Sequence, residues 1–250
     1  EGVRLRLSVL NGRADQLANF DDSFWELMSR AGVAQLLVGA ESGDQDMLDY
    51  IDKRIKVEDI IECERKAKKV GIKIVNSFMT GYPIKKENLT NPKKQLNKEL
   101  NSTIDLIGRL LRINPLDDVH LFFYTPYPGS FFYEESIGAG FKEPQSLEEW
   151  AGIDLNTVTV PWITNAHKKK VIFLRQLFLL KKLFCSEYFD KKAETNKKIY
   201  WLKKMKINKI LENFIDFRLR FKFFHFPVEK LIFPLKQLIS PLLKSAVSVD

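Results

Sequence analysis

Four runs of mainly apolar residues, separated by amphipathic segments, predict that strands and helices alternate along the first half of the chain. Each run has the length and composition of a strand with little water contact; they cover residues 3–10, 34–39, 72–79 and 118–124. Between the runs, apolar residues recur every three or four positions, as on a helix packed on one side. The β-α-β-α-β-α-β order therefore predicts a parallel α/β sheet.

Local signals support the predicted helix ends. Asp21 or Asp22 can cap a helix, because a short carboxylate accepts from the free amides of the first turn. Gly32 and Gly71 follow two amphipathic segments, where a left-handed residue commonly ends a helix. Asn11 and Gly12 are expected to end the first strand.

Two architectures satisfy this order of elements: half of a (β/α) barrel, or a doubly wound open sheet. No Gly-x-Gly-x-x-Gly loop follows any predicted strand, which argues against a dinucleotide-binding fold. In both architectures, ligands bind beyond the carboxyl ends of the strands. Glu41 stands at such an end, where a carboxylate is costly unless a polar group meets it. It is a candidate ligand acceptor, and the alternative is a helix-capping or solvated loop residue.

The second part of the chain differs in charge and in predicted structure. Residues 1–167 carry 20 Lys and Arg against 25 Asp and Glu, whereas residues 168–250 carry 20 against 7. From Asn165 onward the pattern is helical, and residues 199–226 are predicted to form one helix. We therefore predict a domain boundary near Thr164, with domains at 1–164 and 165–250.

Three interpretations of the basic region 165–250 compete. Its helices could pack against the sheet domain with a solvated lysine face, because long lysine stems cover apolar surface well. They could instead make peripheral contact with an anionic membrane, where apolar burial and Lys/Arg attraction add. Nucleic-acid binding would suit the charge, but the region has no recognisable nucleic-acid-binding motif, so it is not expected.

Composition narrows the class of protein. The chain is 45% hydrophobic and 29% charged, as globular proteins are, and it has no uncharged apolar run of about 18 residues. Its two cysteines, Cys63 and Cys185, cannot by themselves hold a zinc ion or an iron–sulfur cluster. Nothing indicates a disulfide scaffold or an N-terminal signal peptide, so a cytoplasmic location is expected.

Several short motifs, in this order, resemble the second half of the core of a radical S-adenosylmethionine (SAM) enzyme. The motifs are residues 31–33, 38–43 (Val-Gly-Ala-Glu-Ser-Gly), 48–53, 68–72 and 78–83 (Phe-Met-Thr-Gly-Tyr-Pro). Three further segments resemble the subset of this family with a cobalamin-binding domain ahead of the core: 125–130 (Thr-Pro-Tyr-Pro-Gly-Ser), 146–150 (Ser-Leu-Glu-Glu-Trp) and 218–229. Each motif alone is loose, and their order and spacing carry the resemblance.

The resemblance implies a partial (β/α) barrel of the TIM type, in which the four strands here are the third to the sixth. The family's first strand ends in a Cys-x3-Cys-x2-Cys loop that holds a 4Fe-4S cluster, and this chain has no such loop. The cluster ligands are expected upstream of this chain. Because the first residue is Glu rather than Met, we expect a fragment of a larger enzyme; the alternative is a degenerate half-barrel that binds a membrane surface or a protein partner through its basic tail.

The activity implied by the resemblance is reductive cleavage of SAM and radical abstraction of hydrogen from a small, apolar substrate. Cobalamin, if used, would allow methyl transfer or oxidative cyclisation. A reductant protein such as flavodoxin or ferredoxin would supply the electron. No catalytic residue and no metal ligand of this chain is assigned.

Seven residues carry over as candidate SAM contacts. By its position in the family's motif, Glu41 would bind the ribose or the amino group of SAM. Tyr124 and Pro126 end the sixth strand of the family, where backbone atoms meet the adenine. Arg13 could pair with the SAM carboxylate in bidentate fashion; its alternative is a surface ion pair with Asp15.

The other three candidates fall on the fifth-strand pattern Gly-x-Ile-x-Gly-x-x-Glu, which packs near the adenine. They are Ser77, Met79 and Gly81. The chain departs from this pattern at Ser77, at Met79 and at Ile84, which stands in place of the final Glu.

Overall fold

The computed structural model describes residues 6–8, 10–85, 88, 90–153, 157, 160–194 and 196–224, excepting the side chains of residues 198 and 202. The chain divides into two compact units, Glu1–Arg175 and Gln176–Asp250. The sequence placed a domain boundary near Thr164, directly before the helix Asn165–Phe184, and the division between the units falls within that helix.

The first unit contains a parallel sheet, as predicted. Its strands are β1 (Leu10–Gly12), β2 (Gln35–Glu41), β3 (Lys73–Thr80) and β4 (Asp118–Phe123), hydrogen-bonded in the order β1-β2-β3-β4. The α/β class is therefore confirmed. β1 ends at Gly12, as expected, but it includes Asn11 and Gly12 rather than stopping at Leu10; upstream, Leu7 pairs with Val33 in an isolated bridge. Residues 3–5 and 9 of the predicted strand lie outside the described residues.

Among the described residues of this unit, eight helices begin: α1 (Ala14–Asn19), α2 (Asp22–Arg30), α3 (Gln45–Tyr50), α4 (Val57–Lys69), α5 (Pro92–Ile113), α6 (Tyr133–Gly138), α7 (Leu147–Ala151) and α8 (Asn165–Phe184). The predicted cap of α2 is confirmed, since Asp21 accepts a 2.9 Å hydrogen bond from the Phe24 amide. Gly32 and Gly71 follow helices with φ of 91° and 76°, left-handed values that glycine adopts without steric cost.

One face of the sheet is covered by helices. Helices α4 and α5 contact β3, and α1 contacts both β2 and α4. Leu36, Val38, Ile74 and Phe78 point to this face and are buried. The strands follow one another across the sheet in chain order, whereas a doubly wound sheet reverses its order at a switch point. Four strands in this order do not by themselves make a closed barrel.

The opposite face is only partly covered, and we call it the open face. Leu37, Gly39, Ser77 and Met79 alternate with the buried residues, and all are half-buried. On β4, His120, which pairs with Ser77, is exposed. Parallel sheets usually have both faces covered, so this incomplete cover leaves the open face accessible.

The part of the second unit that the structure describes contains the rest of α8 and three further helices, α9 (Ser186–Ala193), α10 (Lys197–Lys204) and α11 (Ile207–Phe221). The prediction of one helix over 199–226 is wrong, since α10 and α11 are separated at Lys206, which has φ of 56°. Residues 225 and 226 of that prediction lie outside the described residues. Among the described residues, every helix is either too short or too polar to cross a membrane.

Candidate functional site

Glu41 ends β2 in an unusual backbone conformation. The register between β2 and β3 shifts between Gly39 and Glu41, so that β2 has one extra residue there. Glu41 also has φ of 61°, a left-handed value that costs free energy in any residue with a β-carbon. The bulge and the left-handed residue together set the direction of the Glu41 side chain at the carboxyl end of the strand.

The partner of Glu41 is Lys53, which the sequence analysis did not single out. Lys53 Nζ lies 2.6 Å from Glu41 Oε1, and these side chains are only 26% and 19% exposed. Lys53 stands between two more left-handed residues, Asp52 with φ of 49° and Arg54 with φ of 57°. Non-glycine residues in this conformation are concentrated at functional sites in proteins. Glu41, Asp52 and Arg54 are three such residues, and they belong to this ion pair or lie directly beside Lys53 in sequence.

Gly39 makes room for the ion pair. A β-carbon at Gly39 would lie 2.6 Å from Glu41 Oε1 and 3.2 Å from Lys53 Nζ. The two charged groups therefore lie directly over the Gly39 backbone, on the open face. Ser77 is the register partner of Gly39 on β3, so it borders the same place.

Arg13 joins this group from the end of β1. Its Nε lies 3.1 Å from Asp15 Oδ1, which is the ion pair considered as the alternative to a SAM contact. Its terminal nitrogen also donates a 3.1 Å hydrogen bond to the Lys53 carbonyl. Arg13, Lys53 and Glu41 are thus connected at the carboxyl ends of the first two strands, and we call these three residues the charged cluster.

The other predicted residues gather at the ends of β3 and β4. Gly81, Tyr124 and Pro126 are all buried, and the Tyr124 amide donates a 2.9 Å hydrogen bond to the Thr80 carbonyl. Burial raises the pKa of the Tyr124 hydroxyl. Met79 lies on the open face, two residues before Gly81.

Gly81 is held by its surroundings. It has φ of 84°, and a β-carbon there would lie 2.2 Å from Ile163 Cδ1. Its carbonyl accepts a 3.0 Å hydrogen bond from Trp162 Nε1. The space beside Gly81 on this side is therefore already filled by protein.

Glu99 on α5 is a second ionisable group that sequence reasoning missed. It is fully buried, and burial raises its pKa to about 8, with the Asp44 carboxylate adding to the effect. The nearby Gly81 amide and Thr80 hydroxyl lower the pKa of Glu99 and so oppose the effect of burial. Among the described residues, neither group has the geometry of a hydrogen bond to Glu99. The sequence did hold a signal, since Glu99 interrupts the apolar stripe of its helix between Leu96 and Leu100.

A separate cavity of about 220 Å³ lies between the first turns of α3 and α5. Its lining residues are Asp44, Asp46, Met47, Lys85, Asn88, Lys94, Gln95 and Lys98. None of the seven predicted site residues lines it. Lys98 pairs with Asp46 and lies 3.4 Å from Asp44, so part of its positive charge is offset within the cavity.

The charged cluster suits a zwitterionic ligand. Glu41 offers a carboxylate to an ammonium group or to two hydroxyls, while Lys53 and Arg13 offer donors to a carboxylate. An amino-acid group, as in SAM, carries both an ammonium and a carboxylate. The residues present therefore fit the amino-acid end of SAM.

The cysteines do not fit an iron–sulfur cluster. Cys63 and Cys185 are fully buried on different segments, and burial raises the pKa of both thiols. The thiolate is the form that binds metal, so both sites disfavour it. Across the part of the chain that the structure describes, no group of three or more His, Cys, Asp or Glu side chains is arranged to hold a metal ion.

Comparison with known proteins finds a distant relative, but no matching family model. No protein-family model matches the chain. The chain is 24% identical over 177 residues to a protein of Pyrococcus horikoshii named as an uncharacterized methyltransferase. The match covers 68% of this chain but 36% of the relative, so the chain spans about a third of the relative's length. Over most of its length, the chain is thus similar to a protein whose name indicates methyl transfer.

Proposed function

We propose that this chain is the SAM-binding part of a radical SAM enzyme. The observation that carries the proposal is the half-buried Glu41–Lys53 pair, set over Gly39 at the carboxyl end of β2. Ligands of parallel α/β sheets bind at that edge. The methyltransferase name of the relative supports the use of SAM, which is a methyl donor.

In this proposal the charged cluster binds the amino-acid end of SAM. Glu41 accepts from the ammonium group or the ribose hydroxyls, and Lys53 and Arg13 donate to the carboxylate. Ser77 and Met79 lie along the open face, toward the buried group of Gly81, Tyr124 and Pro126. The adenine lies toward this second group.

The radical chemistry and the partial barrel rest on the family resemblance. In a segment of a (β/α) barrel, the strands follow one another in chain order and the helices cover one face of the sheet. The sheet here has both features, which supports the partial barrel. The cysteines of this chain do not suit a cluster, so no step that uses one is assigned to these residues. Cobalamin, an apolar substrate and a flavodoxin or ferredoxin reductant belong to the same proposal, and the relative's name favours methyl transfer among the outcomes.

The first test is SAM binding by the chain 1–250, measured by isothermal titration calorimetry. Glu41→Ala and Lys53→Ala are expected to weaken binding about 10- to 100-fold, since a hydrogen bond to a charged group contributes ~1.5–3 kcal/mol. The matched control is the exposed ion pair of α4, with Glu62→Ala and Arg65→Ala, whose nitrogen and oxygen lie 3.3 Å apart. Unchanged affinity in Glu41→Ala would contradict the assignment.

The second test addresses the reaction and uses the complete open reading frame. After anaerobic reconstitution with iron and sulfide, we expect an EPR signal that shifts with SAM, together with formation of 5′-deoxyadenosine. At subsaturating SAM, Glu41→Ala should strongly reduce 5′-deoxyadenosine formation, and Glu62→Ala should not. SAM binding without cluster or cleavage would keep the binding site and refute the radical chemistry.

A further inference from the structure

The second unit has an apolar stripe that faces water. Along α11, Ile210, Phe214, Phe217 and Phe221 follow one another at intervals of four, three and four residues, which places them on one side of the helix. Ile210, Phe217 and Phe221 are 63%, 51% and 61% exposed. Ile215 and Leu219 lie on a different side of α11 and are buried. The helix thus has one apolar side packed against protein and a second apolar side in solvent.

Helix α10 and the residue after it carry further exposed apolar side chains. Tyr200, Trp201 and Met205 are all more than half exposed. We call Tyr200, Trp201, Met205, Ile210, Phe217 and Phe221 the aromatic surface. Several exposed large apolar side chains on two consecutive helices favour an interaction site over ordinary exterior.

The charge around the aromatic surface is positive. Residues 197–224 hold nine Lys and Arg and two acidic residues, a net charge of +7. Both acidic residues are engaged by other helices: Asp216 Oδ1 lies 2.7 Å from Lys181 Nζ, and Glu212 accepts a hydrogen bond from Ser186. Cations lie among the aromatic rings instead, with Lys204 Nζ 4.9 Å from the centre of the Trp201 ring.

We propose that the aromatic surface binds an anionic phospholipid membrane. Apolar side chains buried at the headgroup boundary and Lys or Arg drawn to anionic lipid add in such binding. Tyr and Trp are favoured at that boundary, because one end of each side chain is polar. Single-stranded nucleic acid is a poorer fit, since Met205 and Ile210 give no ring on which a base could stack. The inference does not depend on SAM binding.

The test is co-sedimentation of the chain 1–250 with phosphatidylcholine vesicles, with and without phosphatidylserine. Binding is expected only with phosphatidylserine, and it should fall as salt is added. Phe217→Ser combined with Phe221→Ser should weaken binding about tenfold or more, because two large apolar side chains no longer enter the membrane. The matched control is Phe131→Ser in the first unit, which removes a phenylalanine that is 81% exposed. Circular dichroism confirms that each variant is folded.

A second pair of variants tests the charge. Lys209→Glu with Arg220→Glu should weaken vesicle binding more than Arg30→Glu with Lys142→Glu, which changes two exposed cations of the first unit by the same amount. Equal losses in the two pairs would overturn the proposal, because net charge alone would then explain binding. The proposal would also be overturned if the vesicles did not bind and another partner did. That partner would be an oligonucleotide or a second copy of the chain, with binding that the Phe217 and Phe221 changes abolish.

Discussion

The side-chain amide of Asn76 donates a 2.9 Å hydrogen bond to Glu64 Oε2 in the buried layer between β3 and α4. Burial raises the pKa of Glu64, and the neighbouring Asp117 raises it further; burial also raises the pKa of Asp117. Asp117 Oδ1 accepts from the Ile74 amide and from Asn114. Both pKa shifts favour the neutral form of the carboxyl group, because two neighbouring negative charges in a buried layer would repel each other.

This arrangement predicts that the protein loses stability at alkaline pH. The folded-state pKa of Glu64 is raised, so its contribution is fully present below the unfolded value of about 4.5 and is lost as pH rises toward the folded value. One extra bound proton corresponds to about 1.4 kcal/mol of unfolding free energy per pH unit. Glu64→Gln should flatten this loss, as measured by urea denaturation from pH 6 to pH 9. Glu62→Gln, an exposed change on the same helix, should leave the pH dependence as it is.

The buried His167 is expected to give the opposite dependence of stability on pH, with a loss at acid pH. Its Nε2 lies 3.3 Å from the Thr80 hydroxyl, and burial lowers the pKa of the imidazole to about 4, with Lys170 contributing. The lowered pKa means that its contribution is present above the unfolded value of about 6.5 and is lost as pH falls through 4. His167→Gln should reduce the loss of unfolding free energy between pH 6.5 and pH 4. An equal reduction in His120→Gln, an exposed histidine, would show that the effect does not come from burial.

Gly43 predicts a strong effect of adding one methyl group. A β-carbon there would lie 2.4 Å from the Ser102 carbonyl oxygen and 2.7 Å from Thr103 Cα, which are backbone atoms of α5. Gly43→Ala should therefore lower the free energy of unfolding by about 1–3 kcal/mol, because the backbone has to move. Thermal denaturation measures this loss. Gly138→Ala, where the added carbon meets nothing within 4 Å, should leave the melting temperature nearly unchanged.

The substitution Gly39→Ala is expected to weaken SAM binding without lowering the stability of the protein. The added β-carbon of Gly39→Ala would meet the ends of two flexible side chains, Glu41 and Lys53, which can move aside. The melting temperature should hold or rise slightly, since alanine suits a strand interior better than glycine. SAM affinity, measured by calorimetry, should fall about tenfold because the ion pair is displaced. If affinity survives and stability falls, Gly39 serves packing alone.

Most of the sheet unit was predictable because its signals are local. The strands β2, β3 and β4 start and end within one or two residues of the predicted runs, since buried parallel strands are nearly continuous in apolar residues. Asp21 and Gly32 mark helix ends by their own chemistry. The break between α10 and α11 was missed, because Lys206 adopts a left-handed conformation with neither glycine nor proline to indicate it.

The site was predictable only in part. The position of Glu41 after an apolar strand was visible in the sequence, and so was its place at the carboxyl edge of the sheet. The partner Lys53 was not singled out, since it reaches Glu41 through a loop in which Asp52 and Arg54 are left-handed, and arginine gives no sequence signal of that conformation. Pairing across such a loop depends on tertiary structure rather than on spacing along the chain.

The left-handed residues around Lys53 have a consequence for engineering and for evolution. Each non-glycine residue in this conformation costs ~1–3 kcal/mol, so glycine at Arg54 would relieve strain, and asparagine at Asp52 would relieve less. A thermostability screen should enrich such replacements. The same replacements would loosen the loop that presents Lys53, so heat-resistant variants selected without a ligand should lose the alignment of the ion pair. Heat resistance and ligand recognition would then be opposed in a segment of only three residues.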